Sequence, residues 1–157
     1  MRHFGMIGAV TSACIPFAAL ASDSVRLAVG SWHERIRTVS ATVDGKPADR
    51  APFDGSRDHC ITTEEAADPS LYFIQKNGPE CDANGTVANG SISFRGSCRM
   101  EDFQTSFLMT GQYGATSYAM SAVATSLTDG KTIKTVQAID GQYVGACPAK
   151  TTPTSAN

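Results

Sequence analysis

Cys81-Asp-Ala-Asn-Gly-Thr-Val-Ala-Asn-Gly-Ser-Ile-Ser-Phe-Arg-Gly-Ser-Cys98 is the stretch on which the fold turns. Asn89-Gly90 inside it is a strong hairpin signal, because a type I′ turn needs positive φ at both central residues. A two-residue turn there pairs residues whose numbers sum to 179, and Cys81 with Cys98 meets that condition. Pair types alternate outward from the hydrogen-bonded pair Ala88/Ser91, so the two cysteines fall on a non-hydrogen-bonded pair. Side chains come closest at such pairs, which suits the short Cβ separation of a disulfide. The stretch therefore predicts a stapled β-hairpin.

The chain holds five cysteines. Met1–Ala21 reads as a secretory signal peptide, with Arg2 and His3 before an apolar run and Ala19-Leu20-Ala21 as a small-x-small cleavage site. The run is short for a bilayer and is interrupted by Gly5, Gly8 and Pro16, so no transmembrane segment is expected in the mature chain. Lipidation at Cys14 would need an apolar residue three positions earlier, where Thr11 stands. Cleavage leaves Cys60, Cys81, Cys98 and Cys147. An even count behind an export signal is a disulfide framework with three possible connectivities. The hairpin selects Cys81–Cys98 and leaves Cys60–Cys147 by elimination. A four-cysteine zinc site would want close Cys-x-x-Cys pairs, which neither pair offers, and no metal or cofactor is expected.

The expected organisation is a signal peptide over 1–21, one β-domain over 22–148, and a disordered tail over 149–157, a segment without apolar pattern. Losing Arg2 from the 13 Lys and Arg leaves 12 against 15 Asp and Glu, a net charge of about −3. That balance argues against nucleic acid as a partner, which needs a basic footprint. The predicted location is periplasmic or secreted.

Gly30–Val43 is rich in β-branched residues and predicts a long first strand ending at an Asp44-Gly45 turn. Lys46–Asp58 carries Pro47, Pro52 and Gly55 and reads as loop, with a short edge strand near Cys60. Thr62 through Glu65 fits a capping box that opens one short helix, which Asp68-Pro69 stops. Leu71–Ile74 is an apolar patch expected to pack onto the sheet. Beyond the hairpin, Phe103, Phe107, Met109 and Tyr113 alternate with polar residues and predict one apolar strand face. A turn at Gly114-Ala115 would set Met109 opposite Met120 and Gly111 opposite Tyr118, placing a ring over a glycine. A turn at Asp129-Gly130 would pair Met120 with Ile139 and Val123 with Val136. The fold expected is all-β with one short helix, an antiparallel meander of about six or seven strands curled into a half-barrel or an up-and-down barrel.

Taken in order, Gly30-Ser31-Trp32 with Glu34, Cys60-Ile61-Thr62-Thr63-Glu64-Glu65-Ala66, Gly78-Pro79-Glu80-Cys81, Cys98 in its hairpin, and Tyr143-Val144-Gly145-Ala146-Cys147 form a recognisable set. The chain resembles the bacterial "domain of unknown function 3617" family of exported proteins over roughly residues 30–147. The resemblance implies an envelope or periplasmic setting and an exported, disulfide-bonded β-fold. It implies no activity and carries over no catalytic residues.

The residues themselves offer little catalytic chemistry. His33 and His59 lack a third spaced ligand, although Asp58 adjoins His59. No Gly-x-Ser-x-Gly elbow is present, the disulfides leave no thiolate, and Glu64 and Glu65 are explained by helix capping. His33, Arg35 and Arg37 share one face of the first strand, a basic stripe or simply a solvated face, while Trp32, Glu34 and Ile36 share the other. A sheet that curls without closing would let Trp32, Phe107, Met109, Tyr118 and Met120 line a pocket for an apolar ligand. The expected function is a non-catalytic binding or envelope-associated module, taking an apolar ligand or an envelope protein. The alternatives are an enzyme-inhibitor domain presenting Lys46–Arg57, or an enzyme built around His59, Asp58 and a further carboxylate.

Overall fold

Strand β1, Gly30–Val43, has the bounds its β-branched run predicts and is the strand on which both halves of the sheet meet. The computed structural model describes residues 25–49, 53–74, 80–100 and 103–148. The leader expected at 1–21 with its Cys14, the tail expected from 149, and the Gly78-Pro79 pair lie outside the described residues. One edge of β1 pairs with β2 (Lys46–Pro47) and β3 (Asp54–Ile61), and the other with β8 (Lys131–Gly145). From β8 the sheet continues backward along the chain through β7 (Ser117–Thr128), β6 (Phe103–Tyr113), β5 (Ser91–Met100) and β4 (Cys81–Ala88). The result is an antiparallel meander of eight strands that does not close into a barrel. Of the two geometries left open by the sequence, the open one is present.

The stapled hairpin has the register its turn requires. All eight β4–β5 pairs run from Ala88/Ser91 out to Cys81/Cys98, whose Cα atoms lie 4.0 Å apart. Cys60 and Cys147 form the second disulfide. Replacing Cys81 and Cys98 together by serine is expected to cost about 3 kcal/mol in the chain-entropy model and to leave the rest of the domain folded. The check is thermal melting of the oxidised protein, and an unchanged curve would show that the staple contributes nothing.

Three expectations need correction. Lys46–Asp58 is not mostly loop: β3 starts at Asp54 and pairs with β1 over eight positions. Its polar sequence is held by cross-strand ion pairs, with Arg57 opposite Glu34, Asp54 reaching Arg35, and Asp58 reaching His33. Among the described residues, the connection to β4 holds two helices, α1 (Thr63–Ala67) and α2 (Pro69–Phe73), rather than one. Thr62 and Glu65 close the capping box, and Asp68 then ends α1 while capping α2, with Pro69 in the first turn where its missing N–H costs nothing. The apolar patch packs on the sheet as expected, as α2, burying Tyr72 and Phe73.

The third correction is the β6–β7 register. Gly114 N–H donates to Ser117 O at 2.7 Å, so the reversal is centred on Ala115-Thr116, one residue later than expected. Gly111 therefore faces Met120, and Met109 faces Ala122. The slip of two in pairing keeps every side chain on its expected face, because the strand period is two. The β7–β8 register is as expected, with Met120 opposite Ile139 and Val123 opposite Val136. The ring over a glycine exists, but it is Tyr118 over Gly141.

Candidate functional site

The face of the sheet that α2 covers is organised in rows of opposed residues, and three adjacent rows build the site. The first runs across five strands as Arg57, Glu34, Gly141, Tyr118 and Tyr113. The second carries Ile36, Ile139, Met120 and Gly111. The third carries Thr38, Gln137, Ala122 and Met109. Successive rows lie about 7 Å apart along the strands.

A carboxylate on the buried face of a sheet must find partners, since an unpaired buried charge is costly. Glu34 has them. Its side chain is 3 % exposed and accepts from Arg57 Nε at 2.6 Å through Oε1. Oε2 accepts from Tyr118 Oη at 2.6 Å and from Tyr72 Oη at 3.4 Å. Gly141 makes this possible. It stands between Glu34 and Tyr118 in the row, and with no side chain there the Tyr118 ring lies across its Cα and reaches the carboxylate. Tyr72, from α2, closes the network from above: its Oη lies 3.0 Å from Tyr118 Oη and 2.6 Å from His59 Nε2. Rings pack around these bonds, with Trp32 stacked on Tyr118 at 5.6 Å and His59 on Tyr72 at 5.1 Å.

The network opens onto a cavity of about 370 Å³ beneath α2. Ile36, Phe73, Met109, Met120 and Ile139 give it apolar walls. Glu34, Arg57, His59 and Tyr72 line one end, and Gln137 adds an amide in the third row. Its volume falls within the range of small-molecule sites, about 300–1,000 Å³. A wider and more open hollow of about 610 Å³ lies over Ser117–Ala119 and Gly141-Gln142. Its polar side chains His33, Arg35 and Asp140 already have exposed partners in Asp58, Asp54 and Arg37. The chemistry therefore gathers in the smaller cavity.

The family model described as "Protein of unknown function (DUF3617)" matches residues 27–147, which is most of the chain and includes every residue of this network. The chain belongs to the DUF3617 family. No curated protein and no solved structure matches it.

In this DUF3617 domain, the residues expected to line a pocket separate into two groups. Met109 and Met120 stand in the cavity wall. Trp32 is fully buried beside it, donating its indole N–H to Ala28 O at 2.9 Å, and Tyr118 backs the polar end through Glu34. Phe107 lies elsewhere, edge-on to Phe94. The basic stripe of β1 is neutralised, since His33 meets Asp58, Arg35 meets Asp54 and Arg37 meets Asp140. Asp58 and His59 alternate along β3 and so diverge, Asp58 to this outer face and His59 to the cavity. Among the described residues no three His, Cys, Asp or Glu side chains gather as a metal-ligand set. No helix among them is long and apolar enough to cross a membrane.

Burial raises both network tyrosines above the ordinary phenol value of 10.0; for Tyr72 the bond to Tyr118 offsets part of this, and for Tyr118 the neighbouring Tyr72 and Glu34 add to it. Burial works against the Arg57 charge, and the bond to Glu34 more than offsets it. Both phenols therefore stay protonated donors in the folded state. A raised folded value contributes stability that is complete below about pH 10 and is lost as pH climbs beyond it. Spectrophotometric titration compared with Tyr72→Phe and Tyr118→Phe should thus find that these two phenols refuse to ionise until the chain unfolds. Their ionisation in a still-folded protein would show that the network is open to water.

Proposed function

We propose that this domain is a non-catalytic binding module, acting in the periplasm or outside the cell, that takes a small, largely apolar molecule into the cavity beneath α2. The observation that supports this best is an apolar floor left roofed but unfilled. Ile36, Ile139, Met109 and Met120 line space there instead of meeting a second layer. Two methionines in the wall suit a site that must adapt its shape, because the thioether side chain is flexible and polarizable. Two disulfides agree with an oxidising compartment, and the leader read from residues 1–21 supplies a route to it.

The alternatives have weaker support. An inhibitor would present Lys46–Arg57 as a loop, whereas Lys46–Pro47 and Asp54–Arg57 are strand residues of β2 and β3; residues 50–52 of that segment lie outside the described residues. An enzyme needs a group poised to take or give a proton. Here Glu34 is engaged by Arg57 and Tyr118, and the phenols are held protonated. The test is native mass spectrometry of the protein recovered from its own host, together with titration by the neutral apolar dye N-phenylnaphthylamine. A retained small molecule, or saturable dye fluorescence that Met120→Trp abolishes by filling the cavity, is the expected result. Absence of both would overturn the reading.

A further inference from the structure

Resting on that reading of the cavity, we infer that its occupant is an amphiphile with an oxyanion head, an alkyl chain ending in a carboxylate or phosphate group held by Arg57. The argument is the asymmetry of the Arg57–Glu34 pair. The Glu34 side chain is 3 % exposed and already accepts from three donors, whereas the Arg57 side chain is 65 % exposed. The pair is therefore a dipole with its negative end sealed in the sheet and its positive end turned to solvent. The bond to Glu34 uses Nε alone and spares the two terminal nitrogens, the planar fork that suits carboxylate and phosphate oxygens.

The surroundings of the cavity point the same way. Among the described residues that line it, Glu34 is the one carboxylate, and it is buried, so none of them offers an exposed anion to a cationic head. From Arg57 the rows lead away through Ile36, Ile139 and Met120 and then Met109, an apolar wall that rises about 14 Å along the strand direction while crossing from β3 to β6. A head at Arg57 thus places a chain against side chains that have no polar demand. A free inorganic anion would leave that path empty, and a wholly apolar ligand would leave the two terminal guanidinium nitrogens without an oxyanion partner.

Displacement of N-phenylnaphthylamine by a matched series tests this: decanoate, decyl phosphate, decanol and decylammonium, with inorganic phosphate alone, at a mildly alkaline pH where acid and amine are both ionised. Decanoate or decyl phosphate should displace the dye about tenfold or more below decanol, with decylammonium weakest. The tighter of the two anions identifies the source as a fatty acid or a phosphorylated amphiphile. Arg57→Gln should bring acid and alcohol together, and Arg57→Lys, which keeps the charge beside Glu34, should retain part of the preference. Equal displacement by acid, alcohol and amine would overturn the head-group assignment while leaving the cavity reading intact. So would a preference for decylammonium, or competition by inorganic phosphate alone. Failure of the dye to bind would instead remove the cavity reading itself. The series is read on the wild-type protein, so a poorly folding Arg57 variant does not change the outcome.

Discussion

Trp32→Ala should destabilise the domain by about 4 kcal/mol, a large part of what a domain of this size has to spare. The ring is fully buried, lies flat on Tyr118 at 5.6 Å and meets Tyr143 edge-on at 6.0 Å. Its removal opens a void between Tyr118 and Tyr143 and leaves Ala28 O without the indole donor. Urea unfolding followed by far-UV circular dichroism is the suitable measurement, because Trp32 is the one tryptophan in the chain and its fluorescence goes with it. Trp32→Phe keeps a ring but not the N–H, and its midpoint should fall between the other two. A Trp32→Ala midpoint equal to the wild type would mean that the ring packs against nothing that matters.

Gly141→Val should be comparably severe, for the opposite reason. A Cβ at residue 141 would fall inside the Tyr118 ring, so either the ring or the strand has to move. Displacing the ring also takes Tyr118 Oη from Glu34, adding a lost charge-assisted bond to the strain of overpacking. Together these are worth about 4 kcal/mol. The informative comparison is the double variant with Tyr118→Ala, in which the valine gains the space the ring vacates. The two changes should then cost clearly less than their sum. Simple additivity would show that ring and glycine do not depend on one another.

These two positions also mark where the sequence is legible and where it is not. Asn89-Gly90, Asp129-Gly130 and Asp44-Gly45 turn with positive φ at both residues, at 51° and 78°, 49° and 73°, and 50° and 80°. That conformation selects Asn, Asp and Gly, so those three hairpins can be placed to the residue. The β6–β7 reversal needs no positive φ at Ala115 or Thr116 and so leaves no such mark, and Gly114 draws the expected turn one residue early. Strand β3 is hard to see because Asp54-Gly-Ser-Arg-Asp-His-Cys60 has no apolar alternation. Glu34 and Arg37 stand opposite Arg57 and Asp54, and only the pairing shows that those charges match.

The site is hidden by the same gap. Glu34 can be placed on the face of Trp32 and Ile36, and an acid between two apolar residues of a strand is itself a demand for a buried partner. With Arg57 read as loop and Tyr72 as part of a packing patch, no partner is in view. The asymmetry in what can be seen is physical. Turns and disulfides are local or nearly so, whereas the Glu34 network gathers side chains from β1, β3, α2 and β7, as far as 84 positions apart.

The pairing of β1 with β8 fixes when this protein can fold. Its earliest strand is completed only by its latest, along nearly the full length of both, and the Cys60–Cys147 bond spans 87 positions. Contacts of such long range form slowly and cannot assemble while the C-terminal end is still being synthesised. Until Lys131–Gly145 has emerged, the opening strand has no neighbour on that side, and β1–β3 and β4–β7 have no strand to join them. On the extracytoplasmic setting proposed above, delayed closure of this kind would keep the polypeptide competent for passage.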